Sequence, residues 1–233
     1  MNTITETGLK LDQIVPLGRN AREYSLMFDL ASFGADTSVL DCGGGPASFN
    51  AEWTWKGRRA VSVDPLYAYG AADIKARIDD TFDGVMAQVE RNQSRYRWEV
   101  FRDVGHLRTR RLRSMELFLA DFVHGKQQGR YVAGQLPNLP FADTAFDVAV
   151  CSHLLFLYHD HIDAEFHLVS IREMLRVAGQ ARIFPLVGFD GALSPYVPHV
   201  IRQLKHEGFK TRLLNVPYEF QKGANQCLVV THR

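Results

Sequence analysis

Two acidic residues bracket the stretch of this chain best suited to chemistry. Asp41 opens Asp41-Cys42-Gly43-Gly44-Gly45-Pro46-Ala47 at the end of an apolar run, and Asp64 closes a second run, Val61-Ser62-Val63-Asp64. An apolar run, a glycine turn, a second apolar run and a terminal carboxylate describe a nucleotide or nucleoside site built on strand, turn, helix and strand. Gly43 and Gly45 let the backbone turn tightly and approach a ligand, and Pro46 suits the first position of the following helix. Asp64 is placed to accept hydrogen bonds from both hydroxyls of a ribose. A dinucleotide fingerprint requires G-x-G-x-x-G. This chain offers Gly43-x-Gly45-x-x-Ser48, so the third glycine is missing.

A second reactive cluster is Cys151-Ser152-His153, followed by His159-Asp160-His161 and Asp163. Ser152 and His153 fall at the tip of another apolar run, 146–152. His153 is a candidate general base on an acceptor hydroxyl or amine, its unperturbed pKa being about 6.5. The competing assignment is a cofactor-loop histidine that only packs or hydrogen-bonds. His159 and His161 would diverge on a helix, and the segment reads as a helix start, so no metal site is expected.

Counted from Asp41, the first motif follows an acid-x-Gly-x-Gly-x-small pattern that resembles the class I S-adenosylmethionine-dependent methyltransferases. Gln135-Leu136-Pro137-Asn138-Leu139-Pro140-Phe141, then Asp143, then Phe146-Asp147-Val148, is similar to the passage from third to fourth strand in that family. The resemblance implies S-adenosyl-L-methionine as cofactor. It implies contacts from Asp41, Gly43, Gly44 and Gly45 at the glycine turn, and from Asp64 and Pro65 beyond the second strand. Adenine would meet Gln135, which stands where the family usually carries an acid, and the Leu136 backbone; Ser152 and His153 would close the site. Arg19, ahead of the first strand, would meet the methionine carboxylate, and Tyr24 would cover the sulfonium by cation–π attraction. Surface packing is the alternative for both residues.

The elements that must position these groups are short apolar runs at 38–41, 60–64, 131–133, 146–152 and 181–187, with helical patterns between several of them. Such runs imply a doubly wound, Rossmann-like parallel sheet covered on both faces. Two further β-rich runs, 209–216 and 226–231, are joined by a loop too short for a helix and predict an antiparallel pair at the sheet edge. The expectation is a seven-stranded α/β sheet, five strands parallel, in a single domain over 1–233. Residues 18–30 read as an amphipathic helix before the first strand.

Between the second and third strands, residues 71–129 far exceed a simple crossover. Ile74, Ile78, Phe82, Val85 and Val89, then Leu112, Met115, Leu119, Phe122 and Val123, recur at helical spacing. This helical insertion is read either as a cap over the ligand crevice or as a packing element or homodimer surface. It contains an arginine run, Arg102, Arg108, Arg110, Arg111 and Arg113, which reads as a solvated helix face rather than as phosphate contacts.

A formal net charge of +1 over 233 residues gives no reason to expect a polyanionic partner. Three widely spaced cysteines argue for a reducing compartment. The N-terminus lacks the regions of a signal peptide and no run reaches membrane-spanning length, so cytoplasmic residence is the default. The fourth-strand tip lacks three motifs: the Asn/Asp-Pro-Pro-aromatic motif of amino methyltransferases acting on bases, a Pro-Cys nucleophile, and the strand-end aspartate of magnesium-dependent enzymes. What remains is methyl transfer by positioning, which can supply about 7 to 11 kcal/mol of barrier reduction. The acceptor surface is expected from the insertion, the fourth-strand loop and loop 188–194, with Phe156, Tyr158, Phe184 and Phe189, and suits a small organic acceptor. Two rival readings are a nicotinamide-dependent oxidoreductase and a non-catalytic protein of this fold engaging RNA or protein through the insertion.

Overall fold

The computed structural model describes residues 17–233; the N-terminal residues read above for a leader lie outside them. Seven strands form one sheet in the order β3-β2-β1-β4-β5-β7-β6. They are β1 Ser38–Cys42, β2 Arg59–Val63, β3 Tyr131–Val132, β4 Phe146–Ser152, β5 Ala178–Phe184, β6 Lys210–Asn215 and β7 Gln226–Thr231. The first five run parallel, and β7 pairs antiparallel with both β5 and β6. The fifth strand starts at Ala178, earlier than its apolar run. Gly179 and Gln180 interrupt the run, yet Phe146 pairs with Ala178 and Val148 with Gln180.

The helices are α1 Ala21–Phe28, α2 Phe49–Trp55, α3 Ala71–Arg91, α4 Val104–Gln127, α5 Ala164–Val177 and α6 Tyr196–His206. Local chemistry sets their ends. Asn20 caps α1 by accepting from the Glu23 N–H while Glu23 reaches back to the Asn20 N–H. Asp103 and Asp163 cap α4 and α5 by accepting from the N–H groups of His106 and Phe166. Asp29, at φ 49°, ends α1 in the left-handed region, so the helix is shorter than the apolar pattern predicts. Pro46 lies in the turn before Ser48 and not at the first helical position, because α2 begins at Phe49.

One face of the sheet packs against α5 and α6 through Leu40, Ala149, Ile183, Ile171, Met174 and Leu204. The other packs against α1 and α2 through Val39, Val148, Val150, Met27, Phe28 and Phe49. The insertion, α3 and α4, has its own core of Ile74, Ile78, Phe82, Met86, Phe118 and Phe122. Val123 is 55% exposed, one position round the helix from buried Phe122.

The arginine run does not form a uniform solvated face. Arg111 is 1% exposed and makes a two-pronged ion pair with Glu23 of α1 at 2.7 Å on each prong. On the exposed side Arg113 lies 3.8 Å from Glu116, and Arg108 pairs with Asp83. No helix among the described residues is long and apolar enough to cross a membrane.

Candidate functional site

Chain order reverses across the sheet between β1 and β4, leaving a crevice beyond their carboxyl ends. The crevice encloses about 1050 Å³, its open mouth included. Arg19, Tyr24, Gly43, Gly44, Gly45, Asp64, Pro65, Gln135, Leu136, Ser152 and His153 all line it. Asp41 alone of the sequence-predicted set does not; it is fully buried beneath the glycine turn.

The glycine turn is held from below. Gly43 donates its N–H to the Val63 carbonyl at 2.8 Å, and Tyr67 donates its hydroxyl to the Gly45 carbonyl at 2.7 Å. Gly43, at φ 73°, needs the left-handed region that glycine adopts freely. At Gly44 an added Cβ would lie 2.5 Å from Asp41 Oδ2 and 2.8 Å from Tyr67 Oη, so no side chain fits.

Asp64 sits at the β2 tip with both carboxylate oxygens engaged: Oδ2 accepts from Gly45 N–H at 2.9 Å, and Oδ1 from Leu66 N–H at 2.8 Å. Each oxygen keeps a second acceptor position for a ligand. Burial pushes this carboxyl up to about 6, against the pull of those two N–H groups.

Beneath it, Asp41 accepts from Tyr24 Oη at 3.1 Å and from Ser62 Oγ at 3.0 Å. Burial raises it to about 7; the two hydroxyls lower it and the nearby Asp64 charge adds to the rise. Relative to an Asp41→Asn variant, the wild type should therefore lose folding stability as pH rises from about 4 to about 7, because the folded state holds a proton the unfolded chain releases. Urea titrations of both proteins across that window check this; parallel pH curves would show that Asp41 does not titrate differently on folding.

Tyr24 stacks on Phe49, with centroids 4.2 Å apart and planes 8° apart, while its hydroxyl serves Asp41. Arg19 donates from Nη1 to the Leu17 carbonyl at 3.3 Å, but its Nε is buried without a partner among the described residues. Burial, then the charge of Arg111, lowers its pKa. A guanidinium held this way fits an incoming carboxylate.

Ser152 and His153 stand at the β4 tip. His153 adopts φ 53°, a left-handed conformation uncommon outside glycine, and donates its backbone N–H to the Phe184 carbonyl at 2.7 Å. Its Nδ1 lies 2.9 Å from Ser152 Oγ. Burial first, then the charges of Arg19 and Arg111, hold the ring well below the ordinary histidine pKa, so it is neutral at pH 7.

Sequence reasoning did not single out Leu17, Arg77, Leu154 or Phe166 as lining residues. Arg77 comes from α3, so the insertion does reach the crevice. Of the aromatic residues expected at the acceptor surface, only Tyr158 lines it. Phe156 and Phe184 are fully buried, and Phe189 is half exposed and packs edgewise on Tyr158, centroids 5.0 Å apart, without lining the crevice itself. His159 donates from Nδ1 to the Phe156 carbonyl at 3.0 Å, and no group of three metal-ligating side chains occurs among the described residues.

No family model matches the chain. An uncharacterized protein of Methanocaldococcus jannaschii is 29% identical over 223 residues, spanning 95% of this chain and 98% of the relative. The magnesium protoporphyrin IX methyltransferase of Synechocystis PCC 6803, crystallised with S-adenosylhomocysteine, aligns with 91% of this chain and 84% of its own at a TM-score of 0.50 and 11% identity. A SAM-dependent methyltransferase of Aquifex aeolicus aligns over 89% and 90% at a TM-score of 0.43 and 16% identity. Strand order, the antiparallel β7 and the first of these alignments agree: the chain has the fold of the class I S-adenosylmethionine-dependent methyltransferases.

Proposed function

We propose that this protein is an S-adenosylmethionine-dependent methyltransferase acting on a small organic acceptor. The observation that carries the reading is the pairing of opposite chemistries in one crevice: a buried guanidinium with an unpartnered Nε at Arg19, and a carboxylate with spare acceptor positions at Asp64. A ligand with a carboxylate at one end and a vicinal diol toward the other matches both. Arg19 would hold the methionine carboxylate, Asp64 the ribose hydroxyls, and Gln135 with the Leu136 backbone the adenine. Gly43, Gly44, Gly45 and Pro65 leave room for close approach, and Tyr24 faces the sulfonium. The cofactor supplies an already activated methyl group. The chain's own task is to orient the acceptor and exclude water, which holds reactants in line without a metal ligand set.

The dinucleotide reading lacks its anchor. Pyrophosphate needs free N–H groups at the helix amino end. In this chain Ser48 N–H donates to Ser114 Oγ at 3.1 Å, and Ser48 Oγ donates to the Glu52 carboxylate at 2.6 Å, so that end of α2 is closed and acidic. An RNA-engaging reading through the insertion loses Arg111, which is buried against Glu23.

Titration calorimetry with S-adenosylmethionine, S-adenosylhomocysteine and NAD tests the proposal. Binding of both adenosyl ligands without NAD is expected, and should open an acceptor screen with labelled methyl groups. Binding of NAD alone, or of none of the three, overturns it.

A further inference from the structure

The loop beyond β5 displays an aromatic ring to solvent on a closed and braced turn. Gly188 donates its N–H to the Ala192 carbonyl at 3.0 Å, and Asp190 Oδ1 accepts from the Ala192 N–H at 2.9 Å. Two other segments hold the turn from outside. Gln221, from the loop joining β6 and β7, donates Nε2 to the Gly188 carbonyl at 2.7 Å, and Arg95, between α3 and α4, donates Nη1 to the Phe189 carbonyl at 3.4 Å. A Cβ added at Gly188 would collide with the His159 ring, so the turn also lies against the loop that follows β4. None of these contacts uses the Phe189 side chain, which is 51% exposed.

That ring meets Tyr158 with centroids 5.0 Å apart and planes at 87°. Tyr158 is 6% exposed and lines the crevice, so the two rings carry one apolar surface from the crevice out to solvent. Rings at a right angle form a corner. A flat aromatic group there stacks on one ring and meets the edge of the other, the two arrangements that the ring quadrupole favours. An alkyl chain gains no such orientation.

Strand order places the corner relative to the cofactor. Asp64, Gln135 and Leu136, assigned to ribose and adenine, follow β2 and β3, whereas Tyr158 and Phe189 follow β4 and β5 on the other side of β1. The corner therefore adjoins the crevice at the end opposite the adenine. The residues lining that end, His153, Leu154, Tyr158 and Phe166, include no carboxylate, lysine or arginine, and His153 is neutral. A half-exposed phenylalanine offers about 100 Å² of apolar surface, far below the roughly 800 Å² per partner of a stable protein interface but enough for one ring of a small molecule.

Resting on the methyltransferase reading above, we infer that the methyl acceptor is a flat, uncharged aromatic molecule whose ring lies in the corner of Tyr158 and Phe189, its reacting atom turned toward Tyr24 and His153. Phe189 is then a specificity-determining residue: it selects flat acceptors and takes no part in the transfer.

Calorimetric titration of indole into protein saturated with S-adenosylhomocysteine tests this, with the adenine subsite already filled. Relative to wild type, Phe189→Leu, which keeps apolar bulk but loses the flat face, should bind indole about two- to tenfold more weakly, the factor of one aromatic pair, and Phe189→Trp should bind it within about twofold. Octanol, apolar but not flat, should bind wild type and Phe189→Leu alike. Trp55→Ser, which removes a ring 60% exposed at the end of α2, should leave indole affinity unchanged. A wild type that binds no indole, an affinity indifferent to Phe189→Leu, or an octanol loss equal to the indole loss overturns the inference. So does a dimer in sedimentation that Phe189→Leu dissolves, which would assign the ring to a second copy of the chain. Absent binding of S-adenosylhomocysteine would instead overturn the cofactor assignment, and the same titrations on unloaded protein would still read the corner.

Discussion

Replacing Arg111 by Met will destabilise the fold by about 3 to 5 kcal/mol, the cost of stranding a buried charge after its partner is removed. Both Arg111 terminal nitrogens are 2.7 Å from Glu23 oxygens, Nη1 also donates to the Gly18 carbonyl at 3.2 Å, and Tyr218 donates its hydroxyl to Glu23 Oε1 at 2.9 Å. Burial alone would push the Glu23 carboxyl up, but the charge and hydrogen bonds of Arg111 outweigh it and hold Glu23 below its usual value. With Met at 111, Glu23 must either remain an uncompensated anion or take up a proton. Its contribution to stability is present above the unfolded carboxylate range and is lost as pH falls through the depressed folded value. The variant should therefore show its largest deficit at neutral pH and a smaller one in acid. A double variant with Glu23→Gln should recover part of the loss, since the two effects are coupled. Urea denaturation of the wild type, the Arg111→Met and Glu23→Gln single variants and the double variant measures this. A single-variant loss under about 1 kcal/mol would mean that the ion pair only breaks even, and that α1 is placed by its apolar face alone.

The consequence reaches the crevice, because the same ion pair ties the insertion to the helix carrying Tyr24. Glu23 is at once the return half of the α1 capping box and the acceptor for Arg111. Loss of the pair frees the start of α1, and with it Arg19, four residues upstream of Glu23.

This is also where the sequence was least legible. Glu23 and Arg111 are 88 residues apart, and nothing in an arginine run marks one member as buried. Helical periodicity assigns faces but not the neighbour that each face meets, so the pattern Arg108, Arg111 reads equally as solvated or as packed. The parallel strands were legible for the opposite reason: β4 is buried from Val148 to Ser152, and a strand covered on both faces must be a nearly unbroken apolar run. The glycine turn and Asp64 were legible because backbone geometry demands those residue types at those places. The bond from Tyr24 to Asp41 was not, although both residues were named for the site. The family resemblance placed Tyr24 near the ligand, but only the stacking of its ring on Phe49 turns the hydroxyl to Asp41. In the same way Phe156 and Phe184 drew attention as aromatic residues beside strand ends, where burial in the core is the commoner fate.

Asp64→Ala is expected to weaken S-adenosylhomocysteine binding by about 1.5 to 3 kcal/mol, roughly 10- to 150-fold, the range for hydrogen bonds to a charged group. The carboxylate does two things at once. One acceptor position on each oxygen organises the turn through Gly45 and Leu66, and the second position on each is left for a diol. Asp64→Asn is not a mild alternative, because its amide nitrogen would face one of those two N–H donors. Ala leaves both donors without their partner, so part of its effect falls on the glycine turn; affinity must be read on protein shown folded by thermal denaturation. A pH series separates the two contributions. Since burial raises Asp64 to about 6, wild-type affinity should fall as pH drops through that value, while the Ala variant should show no such step. An Ala variant that binds like wild type, or a wild-type affinity flat between pH 5 and 7, would place the ribose away from Asp64 and leave this carboxylate the single task of holding the turn.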